Sequence, residues 1–477
     1  MVNQNEQSGG VEWRVNLPDE TSKVLTTERI WLHEFIMGFF RKIWSFIQKA
    51  LKIGRNDPRK LIHCLKVGVA LSFVSLFYYM RPLYEGVGGN AMWAVLTVVV
   101  VFEYTVGATL YKCVNRASGT FLAGALGVGV HWIANQSGQR FEPIILQSSV
   151  FILASAATFS RFIPSIKARF DYGALIFILT FSLVSVSGYR VEKLFELAHH
   201  RLSTIAIGTS ICIIISMLIC PVWAGNELHN LIKNNMEKLA DSLDGCVANY
   251  FKNDANANNT KSGLGYRCVL SSKVTEESLA NFARWEPAHG GFSFGHPWKE
   301  YLKVGASLRS SAYCIEALDS IINSDSKSSD ILKKHFSKFC VELSSKSSAV
   351  LKELAVITNT MTKSSKIDFI VEEMNNAAQE LQNAMKSLSK QPIASTVTKL
   401  GGSDAGLDIV PLVEIVPLVT VSSLLIEIAA RTENIAKAVN GLADIAEFRV
   451  ESGEKSKKSQ NPQVIIQISQ KTMETSQ

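Results

Sequence analysis

Three ionisable side chains stand in or directly after one apolar run. In WAVLTVVVVFEYTVGATLYKCVNR, from Trp93 to Arg116, Glu103 sits inside the run and Lys112 and Arg116 lie at its end. An ionised group at the centre of a membrane helix costs at least about 2.5–3.5 kcal/mol, so it faces water or a partner. Two chemistries suit the set. A carboxylate beside a cation makes a structural ion pair or a proton-binding site. Basic residues facing water make an anion path, because a guanidinium stays protonated and its fork matches a carboxylate. Rings of such residues confer anion preference. Arg201, at the start of a later apolar stretch, joins Lys112 and Arg116 as a candidate for that path. The plainer reading of both arginines is that they snorkel to headgroups. One arginine per chain becomes a ring only where subunits share the pore.

For Glu103 the expected partner is Lys66. Both lie roughly 8–10 Å deep from the same side of neighbouring predicted spans. A structural counter-ion is the first reading, and direct proton binding or gating the second. In SGYRVEKLFELAHHR (187–201), Glu192 and Glu196 are four apart and would share a helix face. With Glu85 they form either a candidate external cation site of hard oxygens or a set of solvated loop charges. His199 and His200 have no accompanying cluster, so no metal site is assigned. There is no P-loop, G-x-S-x-G or H-E-x-x-H. The expectation is no enzyme, no cofactor and no ATP-driven pump.

The elements that must position these groups are helices. The chain has 477 residues and a formal net charge of +7, with a mean hydropathy of +0.14. Apolar residues concentrate between Leu61 and Val222. A bilayer core needs about 20 apolar residues per helix, and six stretches approach that: 61–80, 91–110, 117–135, 143–163, 171–189 and 202–222. The expected fold is all-α: a polytopic membrane protein with six transmembrane helices per subunit and a helical C-terminal cytosolic domain. Basic residues are richer in the segments assigned to the inside, which places both ends of the bundle in the cytosol.

The expected divisions are a basic N-terminal segment (1–60), a six-helix pore domain (61–222), a helical cytosolic domain (223–450) and a disordered tail (451–477). Within the first, MGFFRKIWSFIQKALKIG (37–54) opposes Phe39, Phe40, Ile43, Trp44, Ile47 and Leu51 to Arg41, Lys42, Lys49 and Lys52. Such a helix lies on an anionic membrane surface or packs on the protein's own cytosolic domain. No cleavable signal peptide is visible. The modest basic excess comes without a zinc-finger or RNA-binding signature, so no nucleic-acid partner is expected. None of the eight cysteines forms a C-x-x-C pair, and all are read as free thiols. Small residues recur at four-residue spacing in Gly119, Ala123 and Gly127, and again in Thr204, Gly208, Cys212, Ser216 and Cys220. They mark faces for close helix approach, within a bundle or at a pore or dimer seam. In IVPLVEIVPLV (409–419), the prolines argue against a continuous helix.

Four motifs carry a resemblance: NAMWAVLTVVVVFEYTVGATLYKCVNR (90–116), FDYGALIFILTFSLVSVSGYR (170–190), CPVWAGNELH (220–229) and WEPAHGGFSFGHPWKEYLKVG (285–305). From about Asp57 to Ala317 the chain resembles the plant aluminium-activated malate transporter family. The resemblance implies a passive channel for malate and other anions, built as a homodimer with six spans per subunit. It puts the pore-lining basic positions on Arg116 and Arg201, with Lys112 nearby. It maps the external aluminium site of activated relatives onto the region of Glu85, Glu192 and Glu196. The leader VEWRVNLPDE (11–20) is similar to those of plasma-membrane relatives rather than vacuolar ones. WEPAHG reads as a turn fixed between cytosolic helices, and CPVWAGNELH as a hinge joining the two halves. A proton- or cation-coupled carboxylate carrier and a non-conducting membrane scaffold or sensor are the competing readings.

Overall fold

The computed structural model describes residues 19–80, 91–138, 140–188, 194–251, 264–323, 330–390 and 412–450. They form fourteen helices and one two-stranded pair: α1 (Asp19–Asn56), α2 (Pro58–Tyr79), α3 (Ala91–Val101), α4 (Val106–Gln136), α5 (Glu142–Ser160), α6 (Pro164–Gly188), α7 (Leu194–Leu218), α8 (Ala224–Phe251), α9 (Gly265–Leu270), α10 (Lys273–Ala283), α11 (Trp298–Ile322), α12 (Asp330–Thr360), β1 (Thr362–Lys363), α13 (Ile367–Lys390), α14 (Leu412–Ile445) and β2 (Arg449–Val450). The chain divides into two compact units, Met1–Phe73 and Val74–Gln477.

The first unit holds α1 and most of α2. From Met37 onward α1 carries exposed Phe39, Phe40, Trp44, Phe46 and Leu51. Asp57 then accepts from the Arg59 amide at 3.3 Å. Pro58, whose missing N–H costs nothing in a first turn, opens α2. Lys66 lies on α2 and is buried.

In the second unit, α4, α5 and α6 are long and apolar enough to cross a membrane, and Met92–Val101 of α3 and Leu202–Leu218 of α7 are shorter apolar stretches. The stretch 91–110, expected as one span, is broken. It ends as α3 at Val101, and a new helix starts at Val106. The cause is local chemistry: Thr105 takes an extended backbone and its hydroxyl accepts from the Ala108 amide, an N-cap that starts a helix there.

Small residues do close-packing inside the chain. A side chain at Gly119 would meet the Gly173 carbonyl at 2.6 Å, and one at Gly127 would meet Val184 at 2.8 Å, so this face of α4 lies on α6. Gly208 faces the Ala94 carbonyl and Thr97 of α3, each at 3.0 Å, with Thr204, Cys212 and Ser216 buried along the same row. Both faces serve packing within one subunit.

The main hydrophobic core lies between residues 224 and 448. Leu228, Ile232, Met236, Leu239 and Leu243 recur at three- and four-residue spacing on α8 and are fully buried. They share the core with Tyr301, Leu308 and Ile315 of α11, Leu343, Val350 and Leu354 of α12, and Leu425, Ile428 and Ile435 of α14. By length and composition α14 could also cross a membrane, but its buried residues belong to this core. Contrary to the sequence expectation, α14 runs through Pro417. The proline sits in its second turn, where its ring forfeits a single backbone hydrogen bond. β1 and β2 pair in parallel, Thr362 with Arg449 and Lys363 with Val450. All eight cysteines are free.

Candidate functional site

The break between α3 and α4 builds the site. Helix ends leave unpaired carbonyls and amides, which are tolerated at membrane depth only where other groups meet them. Here they are met. The Glu103 amide donates to Thr109 Oγ1 at 3.1 Å. That hydroxyl lies 3.2 Å from the Glu103 carbonyl and 3.1 Å from the Thr105 carbonyl. The Lys112 ammonium donates to the Val100 carbonyl at 3.2 Å and closes an ion pair with the Glu103 carboxylate. A cation thus meets the negative end of α3 and an anion stands near the positive end of α4, both in the favourable sense of the helix dipole. Glu103 takes Lys112 as its partner, nine residues along the chain. Lys66, the partner expected from sequence, belongs to the other unit.

One turn beyond Lys112, Arg116 is 4 % exposed. Its Nη1 donates to the Tyr172 hydroxyl at 3.3 Å, and Lys112 Nζ stands 5.7 Å from the centre of the Tyr172 ring. Tyr172 therefore touches both cations. No single residue type announced it; the signal available was its place in FDYGAL, one of the four motifs. Arg116 Nε and Thr120 Oγ1 are buried without a hydrogen-bond partner among the described residues. Both residues line a cavity of about 20 Å³ with Trp93, Ile176, Thr180 and Ile205. That volume suits about one water, whose hydrogen bonds would satisfy the two orphan atoms.

Just past the end of α5, Arg161 grips Asp171 of α6 through both carboxylate oxygens, Nε to Oδ1 at 2.8 Å and Nη2 to Oδ2 at 3.4 Å. This locks the α5–α6 turn and removes Arg161 from the pool of unpaired cations. Arg201 falls on α7, but its side chain lies outside the described residues, as does that of Glu196. Glu85 and Glu192 also lie outside the described residues, so the candidate cation site is not placed. Among the described residues no group of three or more His, Cys, Asp or Glu is arranged to hold a metal.

WEPAHG forms the turn expected of it, between α10 and α11. Its acid does more than turn the chain. Glu286 Oε1 accepts from the amides of Gly107 at 3.1 Å and Ala224 at 2.6 Å, and Oε2 from Gly225 at 3.0 Å. These amides belong to the first turns of α4 and α8. Burial pushes the Glu286 pKa upward, against the opposing pull of the three N–H donors and His289. Sequence reasoning passed over this residue, because a single glutamate in a turn carries no periodic or spacing signal.

The profile of the family described as Aluminium activated malate transporter matches residues 51–410. The chain belongs to the aluminium-activated malate transporter family. Among its relatives, Aluminum-activated malate transporter 10 of Arabidopsis thaliana is 52 % identical over 482 residues, covering 94 % of this chain and 97 % of the relative. Aluminum-activated malate transporter 2 of the same plant is 46 % identical over 86 % of this chain and 79 % of its own length. Aluminum-activated malate transporter 1 of Triticum aestivum is 42 % identical over 88 % and 89 %. The break at 102–105, the Lys112–Glu103 pair and the Arg116 cavity all lie within the matched family region.

Proposed function

We propose that this chain is a subunit of a passive channel that conducts malate and other organic and inorganic anions across a plant membrane. The observation that carries the reading is the buried, incompletely satisfied guanidinium of Arg116. A buried positive charge with no acidic partner among the described residues attracts a mobile anion, or the water that replaces one. The names of the relatives support malate as the substrate. A dicarboxylate does not fit a cavity of about 20 Å³, so the path needs a second surface, and a homodimer supplies it. Six spans per subunit, a pore domain over 61–222, a helical cytosolic domain over 223–450 and residence in the plasma membrane complete the reading. Lys112, Arg116 and Arg201 line the path, and Glu103, paired with Lys112, neutralises charge beside it. Glu85, Glu192 and Glu196 form the external cation site. The exposed apolar face of α1 rests on lipid.

Purified protein in planar bilayers, with malate on one side only, tests the reading. The reversal potential is expected to follow the malate gradient and to persist when the pH gradient is removed. Collapse with the pH gradient would favour the coupled carrier, and complete absence of current the scaffold. Arg116→Gln and Arg201→Gln are each expected to lower malate conductance or alter anion selection. Unchanged permeation in both variants would remove them from the path.

A further inference from the structure

We propose that Glu286 is the positioning residue that fixes the anion-path helix α4 to the bundle formed by residues 224–448. One buried carboxylate collects three backbone N–H groups from two helix starts: Gly107 on α4, and Ala224 and Gly225 on α8. These are the donors a helix leaves unpaired at its first turn, and the carboxylate meets two positive helix ends at once.

The surroundings leave the clamp little freedom. A side chain at Gly107 would stand 2.5 Å from the Phe282 carbonyl, so α4 meets the end of α10 backbone to backbone. Tyr111, one turn on, packs against Phe282 and Trp285 with ring centres 5.7 Å apart in each case. The Val106 amide donates to the Val222 carbonyl at 2.9 Å. Behind the carboxylate, His289 Nε2 lies 3.8 Å from Oε2, and its ring stacks on Trp223 with centres 4.0 Å apart. From Gly107, Lys112 and Arg116 lie five and nine residues further along the same helix, roughly 8 and 14 Å. A shift of the bundle is therefore delivered to the first turn of the helix that carries both cations.

The chemistry demands an acid. Both oxygens are used as acceptors and every partner is a donor. Glutamine would turn an NH2 group against a backbone N–H while also losing the charge, so Glu286→Gln breaks the clamp with almost no change in shape.

The functional part of this inference rests on the channel reading; the structural part does not, and the experiment separates them. Full-length wild type, Glu286→Gln and Gly107→Ala are reconstituted in bilayers for single-channel recording. The same samples are followed by amide hydrogen exchange. Both variants are expected to lower open probability by roughly fivefold or more, with unitary conductance and anion selectivity unchanged. Exchange at Gly107, Ala224 and Gly225 is expected to quicken in Glu286→Gln, while the interiors of α8, α11 and α12 keep their protection. Wild-type open probability in both variants would overturn the proposal, as would an altered unitary conductance, which would place Glu286 in the path itself. Loss of protection throughout the bundle would reduce its role to stability and overturn it equally. If the wild type carries no current, the channel reading fails, and exchange at the three amides alone decides the clamp. If Glu286→Gln does not fold, Gly107→Ala applies the same disturbance from the α4 side and decides the outcome.

Discussion

The ammonium of Lys112 bridges the break between α3 and α4, bound on one side to the Glu103 carboxylate and on the other to the Val100 carbonyl. The pair is partly exposed, with 26 % and 38 % of the two side chains accessible, so the ion pair alone contributes modestly. Lys112→Met also strands the carbonyl end of α3. It is expected to cost about 1–3 kcal/mol, whereas Glu103→Gln costs less. In the double variant the costs are expected to fall short of their sum, by about 0.5 kcal/mol or more. Thermal unfolding in detergent measures all three; strict additivity would deny the coupling.

Tyr172 is the tightest available control on Arg116. Tyr172→Phe keeps the ring beneath Lys112 but removes the hydroxyl that Arg116 Nη1 reaches at 3.3 Å. A hydrogen bond to a charged group is worth about 1.5–3 kcal/mol, so apparent malate affinity is expected to change by roughly tenfold or more. Concentration–current curves for the two proteins check it, and superimposable curves would exclude Tyr172 from the site.

The α4–α6 seam offers a comparison within one helix. A methyl group at Gly119 would meet the Gly173 carbonyl at 2.6 Å, while one at Gly124 would meet nothing within 4 Å. Gly119→Ala is expected to destabilise by about 1–3 kcal/mol through overpacking. Gly124→Ala is expected to be neutral or to stabilise by up to about 1 kcal/mol through helix propensity. The difference in melting temperature between the two variants reads this directly.

A buried histidine predicts acid sensitivity in the 224–448 bundle. His296 packs between Phe292, Trp298 and Tyr301, with Nε2 3.4 Å from the Tyr301 hydroxyl. Burial, aided by the nearby His229, depresses its pKa to about 4 from an ordinary 6.5. Below 6.5 the unfolded chain binds a proton that the folded chain refuses. Stability is therefore full above pH 6.5 and falls as pH drops towards 4, by on the order of 3 kcal/mol. His229 is lowered in the same sense, chiefly by burial. Denaturant unfolding across pH 7.5 to 4 should show the decline, and His296→Gln should flatten part of it. An equal slope in the variant would assign the effect elsewhere.

Much of this architecture was legible in the residues because it rests on periodicity. Five apolar stretches became helices near their expected places, and Leu228 to Leu243 declared the buried face of α8 through spacing alone. The break at 102–105 was not legible, since hydropathy averages over windows longer than four residues and a threonine cap is one atom's worth of signal. For Glu103 the expected cation was Lys66, and the described pair is with Lys112. Lys112 reaches the carboxylate because the helix is broken; in a continuous helix nine residues would hold the two about 14 Å apart along the axis. Glu286 escaped for a different reason: its three partners are backbone amides, which every sequence contains and none displays.

The shared grip of Glu286 on α4 and α8 imposes an order on biosynthesis. During translation Gly107 leaves the ribosome long before residue 286 exists, so the first turn of α4 enters its surroundings without the acid that will hold it. Ala224 and Gly225 wait in the same way. The apolar helices can insert early, but the start of α4 is joined to that of α8 through this acid only after the WEPAHG turn has been made and has folded back. A nascent chain stopped before that turn is a set of inserted helices whose two neighbouring starts still lack their common anchor.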